Sequence, residues 1–260
     1  METNLKGKKA LITGGGTGIG KGIALELAKE GVDIVIATRN QYPETINQIK
    51  SYNVKAFWVQ TDVSKEKEVI KMVNKAINHL GGLDFYINNV AAHWDEAVTK
   101  ITTKGWLNSI NTNLSACVWS CREVANYFIS KKSGNILIIG STAIYGSGQN
   151  EVSYRVSKGG LKYFMETLGV ELGPFGIRVN MITPGLFETN MTVNLGLIEK
   201  KDMIVKSIPL KKIGNLNQDI GPAAVFLLSD KLSSYITCSN LVVDGGMRLL
   251  GSCHYAKGDK

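Results

Sequence analysis

Proline is scarce in this chain, five among 260 residues, and histidine scarcer still, with only His79, His93 and His254. Cysteine is limited to Cys117, Cys121, Cys238 and Cys253. Four widely spread thiols do not make the dense disulfide framework of a small secreted domain, so reduced thiols are expected. Cys117 and Cys121 stand four apart in an expected helix, a spacing that suits a metal, but no histidine or second cysteine pair joins them. Small buried side chains are the simpler reading, and no metal is expected. Long apolar runs are missing too: residues 136–139 and 225–228 fall far short of the roughly 18–20 residues that span a bilayer. The opening Met1-Glu2-Thr3-Asn4-Leu5-Lys6-Gly7 is polar, without the basic and apolar regions of a secretory signal, and the expectation is a soluble, cytoplasmic protein. Clustered charge is also lacking. The net charge of +8 comes from scattered pairs such as Lys131/Lys132 and Lys200/Lys201, some interleaved with acids as in Lys65-Glu66-Lys67-Glu68. A nucleic-acid binder would gather them on one face, so neither a nucleic acid nor a membrane is expected as a partner.

What is present is a globular composition, 44% hydrophobic and 20% charged, enough to bury a sizeable core. Short β-branched and aliphatic runs alternate with helical patterns. Strands are expected at 10–13, 33–38, 56–60, 85–88, 135–140, 178–182 and 241–243. Helices are expected near 18–30, 43–51, 65–80, 103–131, 153–172 and 217–229. This is the sequence form of repeated βαβ units and a parallel sheet: an α/β, doubly wound fold with helices on both faces. Gly31 and Gly81-Gly82 fall where helices should stop. No repeat or long linker interrupts the pattern, so residues 1–260 read as one domain. Two segments stand apart. Residues 187–213 carry helical stretches without a new strand and are expected to form a substrate lid, with a packing subdomain as the alternative. Residues 251–260 form a polar, glycine-containing tail.

After the first strand comes Thr13-Gly14-Gly15-Gly16-Thr17-Gly18-Ile19-Gly20, then a helix. Glycines permit positive φ and close approach of backbone to phosphate, and the helix N-terminus offers free N–H groups to a pyrophosphate. The spacing GxxxGxG uses Gly14, Gly18 and Gly20. In dinucleotide-binding folds an acid near the end of the second strand holds the ribose of NAD. Here that strand ends Ala37-Thr38-Arg39-Asn40. The acid is absent and Arg39 offers a guanidinium to a phosphate dianion, so NADP(H) is the expected cofactor, a solvated surface arginine being the alternative.

Tyr154 and Lys158 stand four apart at the start of a helix and so share a face. A lysine ammonium beside a phenol favours phenolate, and the expectation is a Tyr154 pKa lowered toward neutrality for acid–base work. Tyr127/Lys131 repeats the spacing, late in another helix and without an upstream hydroxyl. Tyr154 is preceded by Ser141 at the end of the fifth strand, where ligands bind in parallel sheets and where a hydroxyl can polarise a carbonyl.

Read together, these motifs resemble the short-chain dehydrogenase/reductase family over essentially the whole chain. The matches are Thr13-Gly14-xxx-Gly18-x-Gly20, Asp62-Val63, Asn88-Asn89, Asn113 in Thr112-Asn113-Leu114, Ser141, Tyr154-xxx-Lys158 and Pro184-Gly185. The resemblance implies a Rossmann-like sheet of about seven strands in the order 3-2-1-4-5-6-7. It implies a catalytic set of Asn113, Ser141, Tyr154 and Lys158: Tyr154 as proton donor in reduction, Ser141 on the carbonyl oxygen, and Lys158 lowering the tyrosine pKa and binding the nicotinamide ribose. Asn113 would interrupt its helix and hold a water. For the cofactor it implies Gly14, Thr17, Gly18, Ile19 and Gly20 at the phosphates, Arg39 at the NADP phosphate, and Asp62 with Val63 at the adenine. Asn89 would line the adenine ribose, and Gly185, Phe187 and Thr189 would lie near the carboxamide.

Two departures from the family pattern are visible. Thr17 replaces a second basic marker of NADP, and Val90-Ala91 replaces Ala-Gly. The implied activity is reduction of a ketone to a secondary alcohol by hydride transfer. The pattern is most similar to bacterial 3-oxoacyl thioester reductases. Hydroxysteroid, sugar-alcohol and other secondary-alcohol dehydrogenases share the motif set, and a non-catalytic NADP sensor or scaffold is the alternative from another class. His93, Trp94, Tyr145, Gln149 and Met191 are candidate substrate contacts, with ordinary packing as the alternative. Members of the family commonly pair through the helices at 103–131 and 153–172, implying a homodimer or homotetramer.

Overall fold

In the computed structural model of the protein, which describes residues 2–249, seven strands form one parallel sheet. They are β1 (Lys9–Thr13), β2 (Asp33–Thr38), β3 (Ala56–Gln60), β4 (Phe85–Asn88), β5 (Gly134–Ile139), β6 (Ile177–Pro184) and β7 (Asn240–Val243). The order is β3-β2-β1-β4-β5-β6-β7, as the family resemblance implied, and every pairing is parallel. Strands buried on both faces need continuous apolar runs. Ala10, Leu11 and Ile12 in β1, and Ile34 to Ala37 in β2, supply them, all fully buried. Alternate side chains go to opposite faces. Leu11, Val35 and Ile136 join one apolar cluster, while Ala10, Ile12, Ile34 and Ile36 join the other.

Helices cover both clusters. On one face lie α3 (Glu66–Leu80), α5 (Ala116–Lys131) and α6 (Val152–Leu172), and on the other α1 (Gly18–Lys29) and α9 (Gly221–Leu228). The helix α2 (Pro43–Lys50) flanks β3. Gly81 caps α3 in the left-handed conformation at φ +65°, where the sequence places a stop. The stretch expected as one helix over 103–131 is broken. It consists of α4 (Thr103–Ile110), a π-type turn over Asn111–Ser115, and α5. The lid stretch contains α7 (Asn190–Asn194) and α8 (Lys201–Lys206) and no named strand; Phe187 and Gly214 bridge its two ends. The last α-helix among the described residues, α10 (Asp230–Ser233), precedes β7. The tail at 251–260, with Cys253 and His254, lies outside the described residues. No helix among the described residues is long and apolar enough to cross a membrane.

The chain reverses its direction of winding between β1 and β4. A parallel sheet opens a crevice at such a switch point, beyond the carboxyl ends of its strands.

Candidate active site

That crevice is a cavity of about 1050 Å³, running from Arg39 and Asp62 past the glycine loop to Ser141, Tyr154 and Lys158. Its floor is the loop after β1. Gly14 and Gly18 sit at φ +68° and +53°, in the left-handed region that glycine enters without strain. Gly20 is required by contact: a Cβ there would lie 2.4 Å from the Gly14 carbonyl oxygen. Thr17 is the N-cap of α1 but its side chain makes no capping bond. The first N–H groups of α1 therefore remain available to an anion, with the helix dipole behind them. This cradle fits the pyrophosphate of a dinucleotide.

Asn89 holds the loop. Its Nδ2 donates to the carbonyls of Thr13 and Gly14 at 3.0 and 3.2 Å, and its backbone N–H donates to Thr13 Oγ1 at 3.0 Å. It lines the cavity as expected, but its amide is committed to the protein. At the far end, Asp62 Oδ1 accepts from the Ser64 N–H and hydroxyl, and Lys65 lies 3.5 Å from Oδ2. Burial works to raise the Asp62 pKa, yet the Ser64 and Lys65 hydrogen bonds outweigh it and hold the carboxyl below its ordinary value. Val63 lines the same end. The Thr38 hydroxyl is spent, accepting from Trp58 Nε1 and donating to the Asn40 carbonyl. Arg39 is exposed on the rim, and its guanidinium makes no hydrogen bond or ion pair among the described residues.

The catalytic candidates converge at the end of β5. Ser141 follows the strand after Gly140, and its Oγ accepts from the Ala143 N–H at 3.2 Å. Tyr154, in the first turn of α6, is 8% exposed and hydrogen-bonded to Ser141. Lys158, one turn on, is 2% exposed; its Nζ donates to the Ile139 carbonyl at 2.9 Å and lies 6.0 Å from the Tyr154 ring centre. Burial pulls the Lys158 pKa down from 10.5 to about 8.

One expectation is overturned here. Burial raises the Tyr154 pKa above its ordinary value, with Glu151 adding to the rise, and this outweighs the opposing Ser141 hydrogen bond and Arg155 charge. The sequence argument counted the nearby cation and left out what excluding water costs a phenolate.

Asn113 sits in the π-type turn, fully buried. Its Oδ1 accepts from the Ala92 N–H at 2.7 Å, while Nδ2 donates to the Ala92 carbonyl at 2.9 Å and to Ser157 Oγ at 3.0 Å. It interrupts its helix, as expected, and ties three segments together: the helix break, the loop after β4, and α6.

Gly185 packs against Asp244, whose Cα a Cβ would meet at 2.7 Å. Thr189 caps α7 in a reciprocal box with Thr192, and its methyl comes close to Gly18. Phe187 also lines the cavity, while its ring is 2% exposed and packed with the apolar cluster and over Gly214. His93, Trp94, Tyr145 and Met191 line the cavity. Gln149 does not; it is exposed on the loop before α6, whose polar composition gave no sign of which way it faces.

Several lining residues were not anticipated. Glu151 and Arg155 flank Tyr154, and Met247 and Arg248 arrive from the chain after β7. Glu151 carried a signal, standing three residues before Tyr154 at the N-cap of the same helix. Arg248 carried none, because its approach depends on where β7 docks.

A family model described as enoyl-(acyl carrier protein) reductase matches residues 14–248. The chain belongs to the short-chain dehydrogenase/reductase family. It is 34% identical over 257 residues to glucose 1-dehydrogenase 2 of Bacillus subtilis, covering 97% of this chain and 99% of that one. It is 33% identical over 241 residues to the 3-oxoacyl-[acyl-carrier-protein] reductase FabG of Buchnera aphidicola, covering 92% and 97%. Among solved structures it resembles an NAD+-bound xylitol dehydrogenase (27% identical, 94% and 100% covered, TM-score 0.87). It also resembles an actinorhodin polyketide ketoreductase with NADPH (26% identical, 95% and 99% covered, TM-score 0.88). As a family member the protein is an oxidoreductase of the CH–OH/C=O type that uses a nicotinamide cofactor.

Proposed function

We propose that the protein is an NADPH-dependent reductase that converts a ketone to a secondary alcohol. The observation that carries this reading is the convergence of Ser141, Tyr154 and Lys158 at the carboxyl end of β5, on the same cavity as the glycine loop. The nicotinamide cofactor supplies the hydride when bound. Tyr154, kept protonated by burial, is the proton donor to the carbonyl oxygen, and Ser141 donates a hydrogen bond to the same oxygen. Lys158 carries its charge below about pH 8 and stabilises negative charge on the tyrosine as the proton leaves. The α1 N-terminus binds the pyrophosphate. Arg39, on the rim and without a side-chain partner among the described residues, binds the phosphate that distinguishes NADP from NAD. Asp62 and Val63 receive the adenine end.

Residues 187–213 act as a lid over the substrate side, which Met191 and Leu195 line from its first helix and its end. Fatty-acyl carrier docking has less support. Lys131 donates to Asp84 and to the Leu83 carbonyl just ahead of β4, at the opposite end of the sheet from Tyr154, and Phe175 stands where a second basic residue would be useful. The helices α4 to α6 expose Leu107, Val118, Val156, Tyr163 and Val170, an apolar face suited to pairing with another copy of the chain.

The test is oxidation of NADPH and of NADH with a ketone panel of oxoacyl thioesters, ketosteroids, sugar ketones and small hydroxyketones, with Tyr154→Phe as control. The reading expects NADPH to be preferred and Tyr154→Phe to lose about 10²–10⁴ in turnover. Tight NADPH binding without Tyr154-dependent turnover of any ketone would favour a cofactor-sensing protein instead.

A further inference from the structure

Beside Tyr154 the cavity wall presents hydrogen-bond acceptors that reduction of a plain ketone leaves unused. The His93 ring lies against the Tyr154 ring, centres 4.6 Å apart and tilted by 44°. Its side chain is 10% exposed. His93 Nδ1 lies 3.1 Å from Asp95 Oδ1, close but not aligned as a hydrogen bond. Of the two carboxylates that flank the ring, Asp95 Oδ1 at 3.1 Å from Nδ1 is nearer than Glu151 Oε1 at 3.8 Å from Nε2, and with the proton on Nδ1 the Nε2 lone pair is an acceptor.

Nε2 is 3.8 Å from Glu151 Oε1, too far for a direct bond. The other Glu151 oxygen is taken by Arg155, whose Nε donates at 2.6 Å. Arg155 also donates to the carbonyls of Ala143 and Gly146, so it is spent on the protein. Oε1 is thus the free acceptor of the pair. The arrangement is braced, because the Glu96 N–H donates to the Asn150 carbonyl at 2.9 Å and Glu96 bridges to Glu151. Asn113 anchors the other end of the His93 segment through Ala92.

Two hydroxyl donors, Ser141 and Tyr154, match a carbonyl oxygen, which only accepts. Two acceptors beside them match a group that donates. We propose that the substrate carries a hydroxyl on the carbon next to its carbonyl, read by His93 Nε2 and Glu151 Oε1, so that the protein reduces α-hydroxy ketones to vicinal diols. This rests on the reductase reading. The C=O π bond breaks as the carbon gains a hydride from NADPH and the oxygen a proton from Tyr154. NADPH becomes NADP+, and the neighbouring hydroxyl is bound but unchanged.

The experiment compares kcat/KM for 1-hydroxybutan-2-one, 1-methoxybutan-2-one and butan-2-one with NADPH, in the wild type, His93→Phe and Glu151→Gln. The methoxy compound keeps the oxygen and loses the donor. His93→Phe keeps a ring beside Tyr154 and loses the nitrogens, and Glu151→Gln is near-isosteric should the first variant fold poorly. The wild type is expected to prefer the hydroxyketone over both analogues by roughly 10–100-fold, the range of a hydrogen bond to a charged group. Either variant should bring that ratio close to one. Equal rates on the hydroxy and methoxy ketones in the wild type would overturn the proposal while leaving the reductase intact. So would variants that slow all three ketones alike and keep the ratio. Reduction of none of the three, with Tyr154-dependent turnover of another ketone of the panel, would overturn the proposal and leave the reductase; no Tyr154-dependent turnover of any ketone would remove both.

Discussion

Lys158 is an ammonium with one backbone carbonyl for a partner, buried to 2% exposure and drawn down to a pKa of about 8. The folded protein carries that cation at a cost, about 3 kcal/mol for a shift of this size and an upper bound on the gain from removing it. Lys158→Met should therefore abolish turnover while thermal denaturation shows stability unchanged or raised, by up to that amount at neutral pH. The sign follows from linkage. The folded pKa lies below the unfolded one, so the penalty is complete below about pH 8 and fades as pH rises toward 10.5. The advantage of the methionine variant over the wild type should shrink across that window, and urea titrations at pH 7 and pH 10 measure it. A Lys158 site that stabilises the fold would show the reverse order. Gly20→Ala acts by contact: the added methyl meets the Gly14 carbonyl oxygen, a backbone atom that cannot swing aside. It should cost about 1–3 kcal/mol of stability and weaken cofactor binding, both readable by melting with and without NADPH. Arg39→Ser should raise the KM for NADPH roughly 10–100-fold and leave that for NADH nearly unchanged.

The elements differ in how much of them the sequence reveals. The strands are legible because aliphatic runs such as Ile34-Val35-Ile36 must be buried on both faces, and the glycines that end α1 and α3 mark real stops. The break at Asn111–Ser115 is hidden. A π-type turn adds one residue to the ring without disturbing the apolar rhythm of α4 and α5, and only the family resemblance pointed to Asn113. Side-chain direction is hidden for the same reason at Phe187 and Gln149, since a loop carries no period to say which side faces in. The cluster of Ser141, Tyr154 and Lys158 was legible because its spacing is fixed by one helix and one strand end. Its electrostatics were not, because the Tyr154 pKa depends on how completely water is excluded. Asn113 also joins elements that are distant in sequence. Asn113→Ala would leave the Ala92 N–H and carbonyl unpaired, with an expected loss of about 1–3 kcal/mol. Hydrogen exchange should accelerate at residues 90–95, the segment that carries His93, more than at β1 or β5. Uniform acceleration would mean that the residue supports the fold as a whole.

At the scale of the whole molecule, a parallel sheet collects every functional group at one end and leaves its long helices facing outward. Tyr163 and Val170 on α6 are 70% and 72% exposed, an arrangement that suits a covered interface better than solvent. Sedimentation should show a dimer or tetramer, and Tyr163→Asp with Val170→Lys should shift it to smaller species. A wild type that sediments as a monomer would contradict that assembly. The central claim is hydride transfer to a carbonyl carbon with Tyr154 as proton donor. The direct measurement is reduction of 1-hydroxybutan-2-one with [4,4-²H₂]NADPH, deuterated on both faces of C4, followed by mass spectrometry of the product. The account predicts one deuterium on the new carbinol carbon in the wild type, and labelled diol formed about 10²–10⁴ times more slowly by Tyr154→Phe. NADPH consumed without deuterium in the product, or label transferred equally well by Tyr154→Phe, would contradict it.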